Sequence, residues 1–306
     1  MQEYKILFMG TAQFAIPSLI ELFNLNHKII SIYSSPSKKA NRGMQVTNSP
    51  IVNYALAHEL DYCCPINLKS DLEEEKIQEL NPDIIIVIAY GLIIPKNILP
   101  IPRLGCFNLH GSLLPRWRGA APIQRALIAG DKKTGITFMK MNEGLDTGDI
   151  VLSKEVKIDP DDSYQDLELK LAELGAKSFK EFFQKIENNK FFLKQDDLLS
   201  TYAKKIEKSE TKLNWNEPAN KILKRINAYN PNPGAWFELK GKRIKILKAS
   251  IVNDRGKPGT ILNDSFQIAC GDKSIQPREL KKEGKEAVSI EDFLRGNKFD
   301  IGCIIQ

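Results

Sequence analysis

Three polar side chains in one stretch of the sequence have the types needed to transfer an acyl group. Asn108 and His110 lie two residues apart, and Asp146 follows between Gly144 and Gly148. Residues two apart on a strand project from the same face, so Asn108 and His110 are expected to point the same way. When an amine attacks a carbonyl carbon, an amide and an imidazole can stabilise the resulting oxyanion. A nearby carboxylate can set the charge of the imidazole and accept the amine's proton.

Each of these residues also has an ordinary structural explanation. An asparagine at a strand end often shapes a turn, a histidine is often a buried hydrogen-bonded side chain, and an aspartate between glycines often shapes a loop. Catalysis is favoured because all three are expected at the carboxyl edge of a parallel sheet, where such sheets bind ligands. Trp117, between two arginines, has two interpretations, stacking on a ligand or anchoring the loop, and we favour the anchor.

The elements that must position these residues alternate between strand and helix in the first half of the chain. The strongest strand is Ile84–Ala89, whose unbroken β-branched run predicts burial on both faces. Further strands are predicted at Lys5–Met9, Ile29–Tyr33, Cys106–Leu109, Gly135–Met141 and Ile150–Val156, and helices at Pro50–Glu59, Asp71–Leu80, Ile123–Ala129 and Ser163–Ile186. This alternation predicts an α/β fold with a doubly wound, mostly parallel sheet.

The pattern changes in the last third of the chain. One helix is predicted at Pro218–Ala228, and short strand candidates then recur between Gly and Asn/Asp turn signals. The candidates are Ala235–Leu239, Arg243–Ala249, Gly259–Asn263 and Phe266–Cys270. Such closely spaced strands predict a small antiparallel β-barrel.

Composition bounds the class of protein. The chain has 306 residues, 42% hydrophobic and 27% charged, which is a normal globular balance. No run approaches about 18 apolar residues, so no membrane span is expected, and the N-terminal sequence predicts no secretory signal. Five cysteines without a CxxC pair and only three histidines predict free thiols in a reducing cytoplasm and no metal site.

Charge is unevenly distributed along the chain. The net charge is +6; residues 190–306 carry 23 Lys+Arg and 15 Asp+Glu, a balance of +8, and residues 1–189 carry 21 and 23, a balance of −2. A basic second part suggests a polyanionic partner. The alternative, surplus lysine that only solubilises the surface, stays open on charge alone.

Two long motifs carry a family resemblance. The stretches NLHGSLLPRWRGAAPIQRAL and GITFMKMNEGLDTGDI resemble the signature of the 10-formyltetrahydrofolate-dependent formyltransferases. The resemblance covers nearly the whole chain and includes ILFMGTAQFAIPSL near the start, Thr201–Trp215 (TYAKKIEKSETKLNW) and Asn230–Trp236 (NPNPGAW). Within the family the match is closest to the members that act on tRNA.

The resemblance implies an activity and a domain plan. It implies transfer of a formyl group from 10-formyltetrahydrofolate to the free amino group of methionyl initiator tRNA. The folate is then a co-substrate and not a tightly bound cofactor. The resemblance also implies a Rossmann-like catalytic domain at 1–189, a linker at 190–206 and an OB-like β-barrel at 207–306 that binds tRNA. The expected protein is a cytoplasmic monomer without a membrane partner.

The resemblance also assigns roles to residues. The family's catalytic set falls on Asn108, His110 and Asp146, and its folate-contacting segment falls on Ser112, Leu113, Leu114 and Pro115. In tRNA-directed members a loop after the second strand enters the acceptor end of the tRNA. This loop matches Ser34–Ser49, and its Arg-Gly pair falls on Arg42 and Gly43.

Lysines near these features are candidate phosphate contacts. Lys38 and Lys39 lie in the Ser34–Ser49 loop, and Lys204 and Lys205 lie just before the second domain. Each is singly more often a solvent-facing lysine.

Three other functions remain as alternatives. A formyltransferase for another amine, such as an amino sugar nucleotide or glycinamide ribonucleotide, is disfavoured by the basic second part. An NAD-binding oxidoreductase is disfavoured because GTAQFA after the first strand lacks the second and third glycines of the dinucleotide fingerprint. The third alternative is a non-catalytic RNA-binding module, in which the barrel would carry the whole function.

Overall fold

A computed structural model describes residues 2–40, 45–188 and 192–305, without the side chains of residues 38–40 and 45–46. The chain forms two compact units. The first comprises Met1–Gly119, Lys133–Val156 and Glu168–Ala203, and the second comprises Ala120–Lys132, Lys157–Leu167 and Lys204–Gln306. Both units are therefore built from segments that are separated along the chain.

A seven-stranded sheet forms the centre of the first unit. The first nine strands of the chain are β1 (Lys5–Gly10), β2 (Lys28–Tyr33), β3 (Lys38–Ala40), β4 (Gln45–Thr47), β5 (Tyr62–Cys63), β6 (Ile84–Ile88), β7 (Cys106–His110), β8 (Lys133–Lys140) and β9 (Ile150–Lys157). The sheet order is β5-β2-β1-β6-β7-β8-β9. The first five strands in this order, β5, β2, β1, β6 and β7, pair in parallel, and β8 runs antiparallel to β7. The predicted doubly wound, mostly parallel sheet is confirmed.

Burial explains why these strands form the core. Every residue of β6 is buried, as its unbroken run of isoleucine and valine requires for a strand covered on both faces. The predicted strand at Ile84–Ala89 is thus confirmed, ending one residue earlier at Ile88. Strands β3 and β4 form a separate antiparallel pair within the predicted Ser34–Ser49 loop.

Helices connect these strands, and α2, α3 and α4 lie within two residues of their predicted bounds. They are α1 (Ile16–Asn24), α2 (Pro50–Ala57), α3 (Asp71–Leu80), α4 (Pro122–Ala129), α5 (Tyr164–Lys177) and α6 (Phe179–Glu187). Serine side chains cap two of them: Ser49 accepts from the Val52 amide and Ser70 from the Glu73 amide. Such caps satisfy amides that have no partner within the helix.

The prediction of one helix over Ser163–Ile186 is wrong, because the chain breaks into α5 and α6 at Ser178. The Ser178 hydroxyl donates to the Leu174 carbonyl at 2.7 Å, a bond that competes with the regular ladder and bends helices. The break serves aromatic packing: Phe182 of α6 contacts Phe107 of β7 and Phe138 of β8 with ring centroids 5.3 Å and 4.6 Å apart.

The second unit contains a five-stranded antiparallel half-barrel. Its elements are α7 (Ala219–Tyr229), β10 (Ala235–Leu239), β11 (Lys242–Val252), β12 (Ile268–Ala269), β13 (Ser274–Lys282), β14 (Ala287–Ser289) and α8 (Ile290–Arg295). The order is β10-β11-β13-β12, with β14 paired to β13. The predicted small antiparallel barrel architecture is confirmed.

Two details of that prediction need correction. Gly259–Asn263 is not a regular strand; Thr260 and Ile261 form only isolated bridges, to Ile304 and Ile268. Gly259 has φ +82°, and a Cβ there would lie 2.8 Å from the Ile305 carbonyl oxygen. Only glycine allows the segments around Gly259 and Ile305 to cross this closely. This crossing takes the place of a regular strand pair.

Strand β13 was not predicted, because Pro277 and the charged residues from Arg278 to Lys282 obscure its alternation. Pro277 pairs with Ala249 beside an irregularity in the register of β11. A proline that cannot donate to the ladder is tolerated at such irregular positions.

No helix in the described part of the chain is long and apolar enough to cross a membrane.

Candidate active site

The predicted catalytic residues gather at the carboxyl edge of the seven-stranded sheet. His110 is the last residue of β7, and Asn108 pairs with Val87 of β6 and with Met139 of β8. The ends of the neighbouring strands are tied together, since the Tyr90 carbonyl after β6 accepts hydrogen bonds from Thr11 at 2.7 Å and Ser35 at 2.9 Å. The edge where ligands bind in such sheets is therefore an ordered surface.

His110 is held between a carbonyl and a carboxylate. Its Nε2 lies 2.9 Å from the Trp117 carbonyl oxygen, and its Nδ1 lies 3.6 Å from Oδ2 of Asp146. A carbonyl only accepts, so Nε2 carries a proton and donates it. Nδ1 is therefore the ring atom left for proton exchange or for donation to a substrate.

Asn108 lies on the same side of β7 as His110 and is half-buried. Among the described residues, none provides a hydrogen bond to its carboxamide. Because a fully buried amide would need partners, the half-exposed carboxamide of Asn108 has its hydrogen-bonding capacity available to a ligand.

Asp146 is fixed in an unusual backbone conformation. It has φ +53°, a left-handed value that costs free energy for residues other than glycine. Its Oδ2 accepts from the Gly119 amide at 2.8 Å. A Cβ on the nearby Gly148 would meet the Lys140 carbonyl oxygen at 1.7 Å. The turn therefore runs directly against the end of β8, which brings the carboxylate to the imidazole.

The predicted folate segment follows His110 and is bound to β8. Thr137 donates to the Ser112 carbonyl at 2.7 Å and accepts from the Leu114 amide at 3.1 Å. The Ser112 side chain is buried and donates to the Arg116 carbonyl at 2.7 Å. Leu114 is also buried, and Leu113 and Pro115 are half-buried. The last two side chains are thus the ones open to a ligand.

A segment before the second unit supports the same loop. Thr201 begins a tract of the family resemblance, but no residue pattern there predicts hydrogen bonds to the loop. The Arg118 amide donates to the Thr201 carbonyl at 2.8 Å, the Ala203 amide donates to the Arg118 carbonyl at 2.7 Å, and the Trp117 amide donates to the Thr201 hydroxyl at 2.9 Å. These bonds hold the main chain of Trp117, whose carbonyl orients His110. The segment around Thr201 has no hydrophobic period, so its role could be found only in three dimensions.

The predicted tRNA-contacting residues are spread over both units. Lys204 and Lys205 are exposed, and their carbonyls accept from the Arg125 guanidinium at 3.1 Å and 3.3 Å. Lys38 and Lys39 lie on β3, and Arg42 lies outside the described residues. The main chain of Lys204 and Lys205 is thereby anchored while their side chains face solvent.

Cysteine chemistry is not part of this site. Burial raises the pKa of the Cys106 thiol, on β7, to about 12, and burial likewise raises the pKa of Cys270 to about 12. Such thiols stay protonated at neutral pH and are poor nucleophiles. Among the residues that the structure describes, no cluster of His, Cys, Asp and Glu side chains could hold a metal ion.

Two family descriptions match the chain. Residues 4–182 match the formyl transferase family, and residues 205–298 match the formyl transferase C-terminal domain. A methionyl-tRNA formyltransferase of Parvibaculum lavamentivorans is 42% identical over 95% of this chain and 96% of its own length. One of Coxiella burnetii is 40% identical over 96% of this chain and 95% of its own length.

Solved structures share the fold at lower identity. HypX from Aquifex aeolicus, solved in complex with tetrahydrofolic acid, superposes with a TM-score of 0.68 at 17% identity, over 99% of this chain and 51% of its own. An N-formyltransferase from Helicobacter canadensis, solved with folinic acid and dTDP-3-aminofucose, gives a TM-score of 0.66 at 20% identity, over 91% of this chain and 99% of its own. Because both domain families match in order and the full-length relatives are about 40% identical, the chain belongs to the formyltransferase family and is a formyltransferase enzyme.

Proposed function

We propose that the chain transfers the formyl group of 10-formyltetrahydrofolate to the free amino group of methionyl initiator tRNA, for translation initiation. Similarity to methionyl-tRNA formyltransferases over nearly the whole of both chains supports this substrate pair. The observation that carries the chemistry is the pair of His110, which is buried, and Asp146, which is partly buried, with Nδ1 and Oδ2 3.6 Å apart at the carboxyl edge of the sheet.

The reaction needs no covalent intermediate with the enzyme. The neutral amine attacks the formyl carbon, a new C–N bond forms, and the carbonyl oxygen becomes an oxyanion. The amine then loses a proton, the bond between the formyl carbon and N10 of the folate breaks, and N10 is protonated. The products are formylmethionyl-tRNA and tetrahydrofolate, and one proton has moved from one nitrogen to the other.

Asn108 and His110 are proposed to stabilise the oxyanion. The Asn108 carboxamide is half-exposed, and Nδ1 of His110 is the ring atom not committed to Trp117. Nδ1 of His110 lies 3.6 Å from Oδ2 of Asp146, which is longer than a hydrogen bond. When Nδ1 is protonated, it can therefore donate a hydrogen bond to a substrate oxygen. Donors aimed at a developing oxyanion commonly contribute about 100-fold or more in rate.

Asp146 is proposed to balance the positive charge of a doubly protonated ring and to pass the proton between the two nitrogens. Its Oδ2 already accepts from the Gly119 amide, which keeps the carboxylate facing the ring. General acid–base catalysis by one positioned group typically contributes about 100-fold to 10,000-fold.

The folate is proposed to lie against Ser112, Leu113, Leu114 and Pro115. The half-buried Leu113 and Pro115 side chains offer apolar contact. The side chains of Ser112 and Leu114 are buried and fix the conformation of the segment. The folate is a co-substrate that leaves after each turnover, and no tightly bound cofactor takes part in the proposed reaction.

The tRNA is proposed to contact Lys38, Lys39, Arg42, Lys204 and Lys205. The anchored main chain and exposed side chains of Lys204 and Lys205 favour phosphate contacts with little loss of backbone entropy. The proposed domain boundaries are 1–189 for catalysis, 190–206 for the linker and 207–306 for tRNA binding. We further propose a cytoplasmic monomer, consistent with five free cysteines.

A competition assay tests the proposed substrate pair. Purified protein is incubated with 10-formyltetrahydrofolate and either methionyl initiator tRNA, an amino sugar nucleotide or glycinamide ribonucleotide. Mass spectrometry should find the formyl group on the methionyl amine. The kcat/KM for methionyl initiator tRNA should be at least about 100-fold above that for either of the other amines. Preferential formylation of either small amine would contradict the proposal.

A further inference from the structure

Gln195 is buried beside the proposed catalytic turn, and neither its sequence context nor the family resemblance marks it. Its Nε2 donates to two main-chain carbonyls of that turn, Asp146 at 3.0 Å and Gly148 at 2.7 Å. Its Oε1 accepts from Nε of Arg118 at 3.0 Å. One carboxamide thus connects the turn to the loop that follows β7.

The orientation of this carboxamide is fixed by its partners. A guanidinium only donates, so the oxygen of Gln195 must face Arg118, and carbonyls only accept, so the NH₂ group must face Asp146 and Gly148. Both donors and one acceptor site of a buried side chain are used. The arrangement cannot be reproduced by a carboxylate, which would place an acceptor against two carbonyl oxygens.

A closed ring of contacts results. Arg118 holds Gln195, Gln195 holds the main chain of Asp146, and the Asp146 carboxylate accepts from the Gly119 amide, next to Arg118 along the chain. Asp146 is therefore held at both ends. Because its φ of +53° is unfavourable for an aspartate, the turn needs outside bonds to keep that conformation.

We infer that Gln195 is a positioning residue for the formyl transfer, which holds the Asp146 turn so that the carboxylate faces His110. This inference rests on the proposed role of Asp146. The side chain of Gln195 forms no hydrogen bond with the imidazole or with the side-chain carboxylate of Asp146, so its influence passes through the main chain of the turn.

The expected effect lies in kcat. Misplacement of a catalytic group by about 1 Å can cost about 100-fold. Gln195→Leu and Gln195→Glu should each lower kcat by about 10-fold to 100-fold, with KM for 10-formyltetrahydrofolate and for methionyl initiator tRNA within about 3-fold of wild type. The Glu variant keeps the acceptor for Arg118, loses the two donors and places a carboxylate oxygen against the two main-chain carbonyls.

A second buried glutamine provides a matched control. Gln276 in the second unit is buried to the same degree and donates from Nε2 to the Ser265 and Pro277 carbonyls at 2.7 Å and 3.1 Å. Gln276→Leu should lower the thermal unfolding midpoint as much as Gln195→Leu does, with kcat within about 2-fold of wild type. A purely structural role for Gln195 predicts the same behaviour for both variants.

The deciding experiment is a double-mutant cycle with Asp146→Asn, read as single-turnover formyl transfer. If Gln195 acts through Asp146, Gln195→Leu adds less than about 3-fold loss in the Asp146→Asn background. A full multiplicative loss there, or a Gln195→Glu kcat within 2-fold of wild type, overturns the inference and leaves the catalytic role of Asp146 intact. A wild-type rate in Asp146→Asn alone overturns the proposed mechanism, and the inference with it.

Discussion

Nδ1 of His110 lies 3.6 Å from Oδ2 of Asp146, with only 7% and 12% of the two side chains exposed. His110 ends strand β7 and Asp146 lies in the turn between β8 and β9, and a main-chain group holds each of the two side chains. Trp117 fixes the imidazole and Gly119 fixes the carboxylate. These main-chain bonds hold the two side chains in a fixed arrangement, which is the condition for electrostatic catalysis without reorganisation.

Removal of the Asp146 charge should abolish most activity without unfolding the protein. Asparagine tolerates a positive φ and retains an oxygen for the Gly119 amide, so Asp146→Asn should fold normally. It should lower kcat by about 100-fold or more, because the imidazole loses its facing carboxylate.

A control for this variant is available in the same turn. Glu143 is exposed and pairs with exposed Lys96 at 2.7 Å. Glu143→Gln removes one carboxylate close by and should leave kcat within about 2-fold. Equal losses in both variants would argue that the total negative charge of the turn matters and that the placement of the Asp146 carboxylate beside His110 does not.

The close packing of the Asp146 turn predicts a large effect at Gly148. A Cβ there would lie 1.7 Å from the Lys140 carbonyl oxygen, so Gly148→Ala must displace the turn. We expect kcat to fall by about 10-fold or more and the thermal unfolding midpoint to drop.

Gly296 is the comparison position for Gly148→Ala. No atom lies within 4 Å of a Cβ there, and φ is −101°, which alanine adopts. Gly296→Ala should leave activity and unfolding unchanged within error. Near-normal kcat in Gly148→Ala would mean that the position of the turn is not critical.

Much of this fold could be predicted from the sequence, because burial imposes a pattern on it. The isoleucine run of β6 and the acidic start of α3 each have one dominant physical explanation. The break at Ser178 could not be predicted, because the sequence there has the pattern of one long amphipathic helix and the contact of Phe182 with Phe138 is tertiary.

The candidate site divides in the same way. Asn108, His110 and Asp146 stand out by residue type within dense glycine-rich motifs. Gln195 and Thr201 act through bonds to main-chain carbonyls and amides of other segments. Such bonds leave no periodicity or spacing in the sequence, so no local rule could find these two residues.

An ion pair in the second unit makes its stability depend on pH. Arg125 donates to Glu210 from both terminal nitrogens, at 2.7 Å and 3.0 Å. The hydrogen bond from Arg125 holds the pKa of Glu210 below its ordinary value of 4.5. A lowered folded-state pKa stabilises the fold at pH values above the ordinary value, and that contribution is lost as pH falls through the folded-state pKa.

Urea unfolding of Glu210→Gln should therefore depend on pH. At pH 7 the variant should be less stable than wild type by about 1–2 kcal/mol, and the difference should shrink as pH falls below 4.5. The exposed pair of Lys133 and Glu155, 2.7 Å apart, offers a control, because Glu155→Gln should change stability by less than about 0.5 kcal/mol. A deficit in Glu210→Gln that is constant between pH 3 and pH 7 would contradict the assignment.

Phosphate contacts by Lys204 and Lys205 predict a change in salt dependence. Replacement of both by alanine should raise KM for methionyl initiator tRNA without changing KM for 10-formyltetrahydrofolate. Each lost phosphate contact should also reduce the slope of log affinity against log salt by about 1 unit. An unchanged salt slope would remove both lysines from the tRNA interface.

The most direct test of the proposed chemistry is a single-turnover measurement on His110→Ala with saturating 10-formyltetrahydrofolate and methionyl initiator tRNA. The imidazole is one of the two proposed donors at the oxyanion, so the rate of formyl transfer should fall by about 100-fold or more, while equilibrium binding of both substrates stays within about 3-fold. Formyl transfer by His110→Ala at a rate near that of wild type would contradict the account.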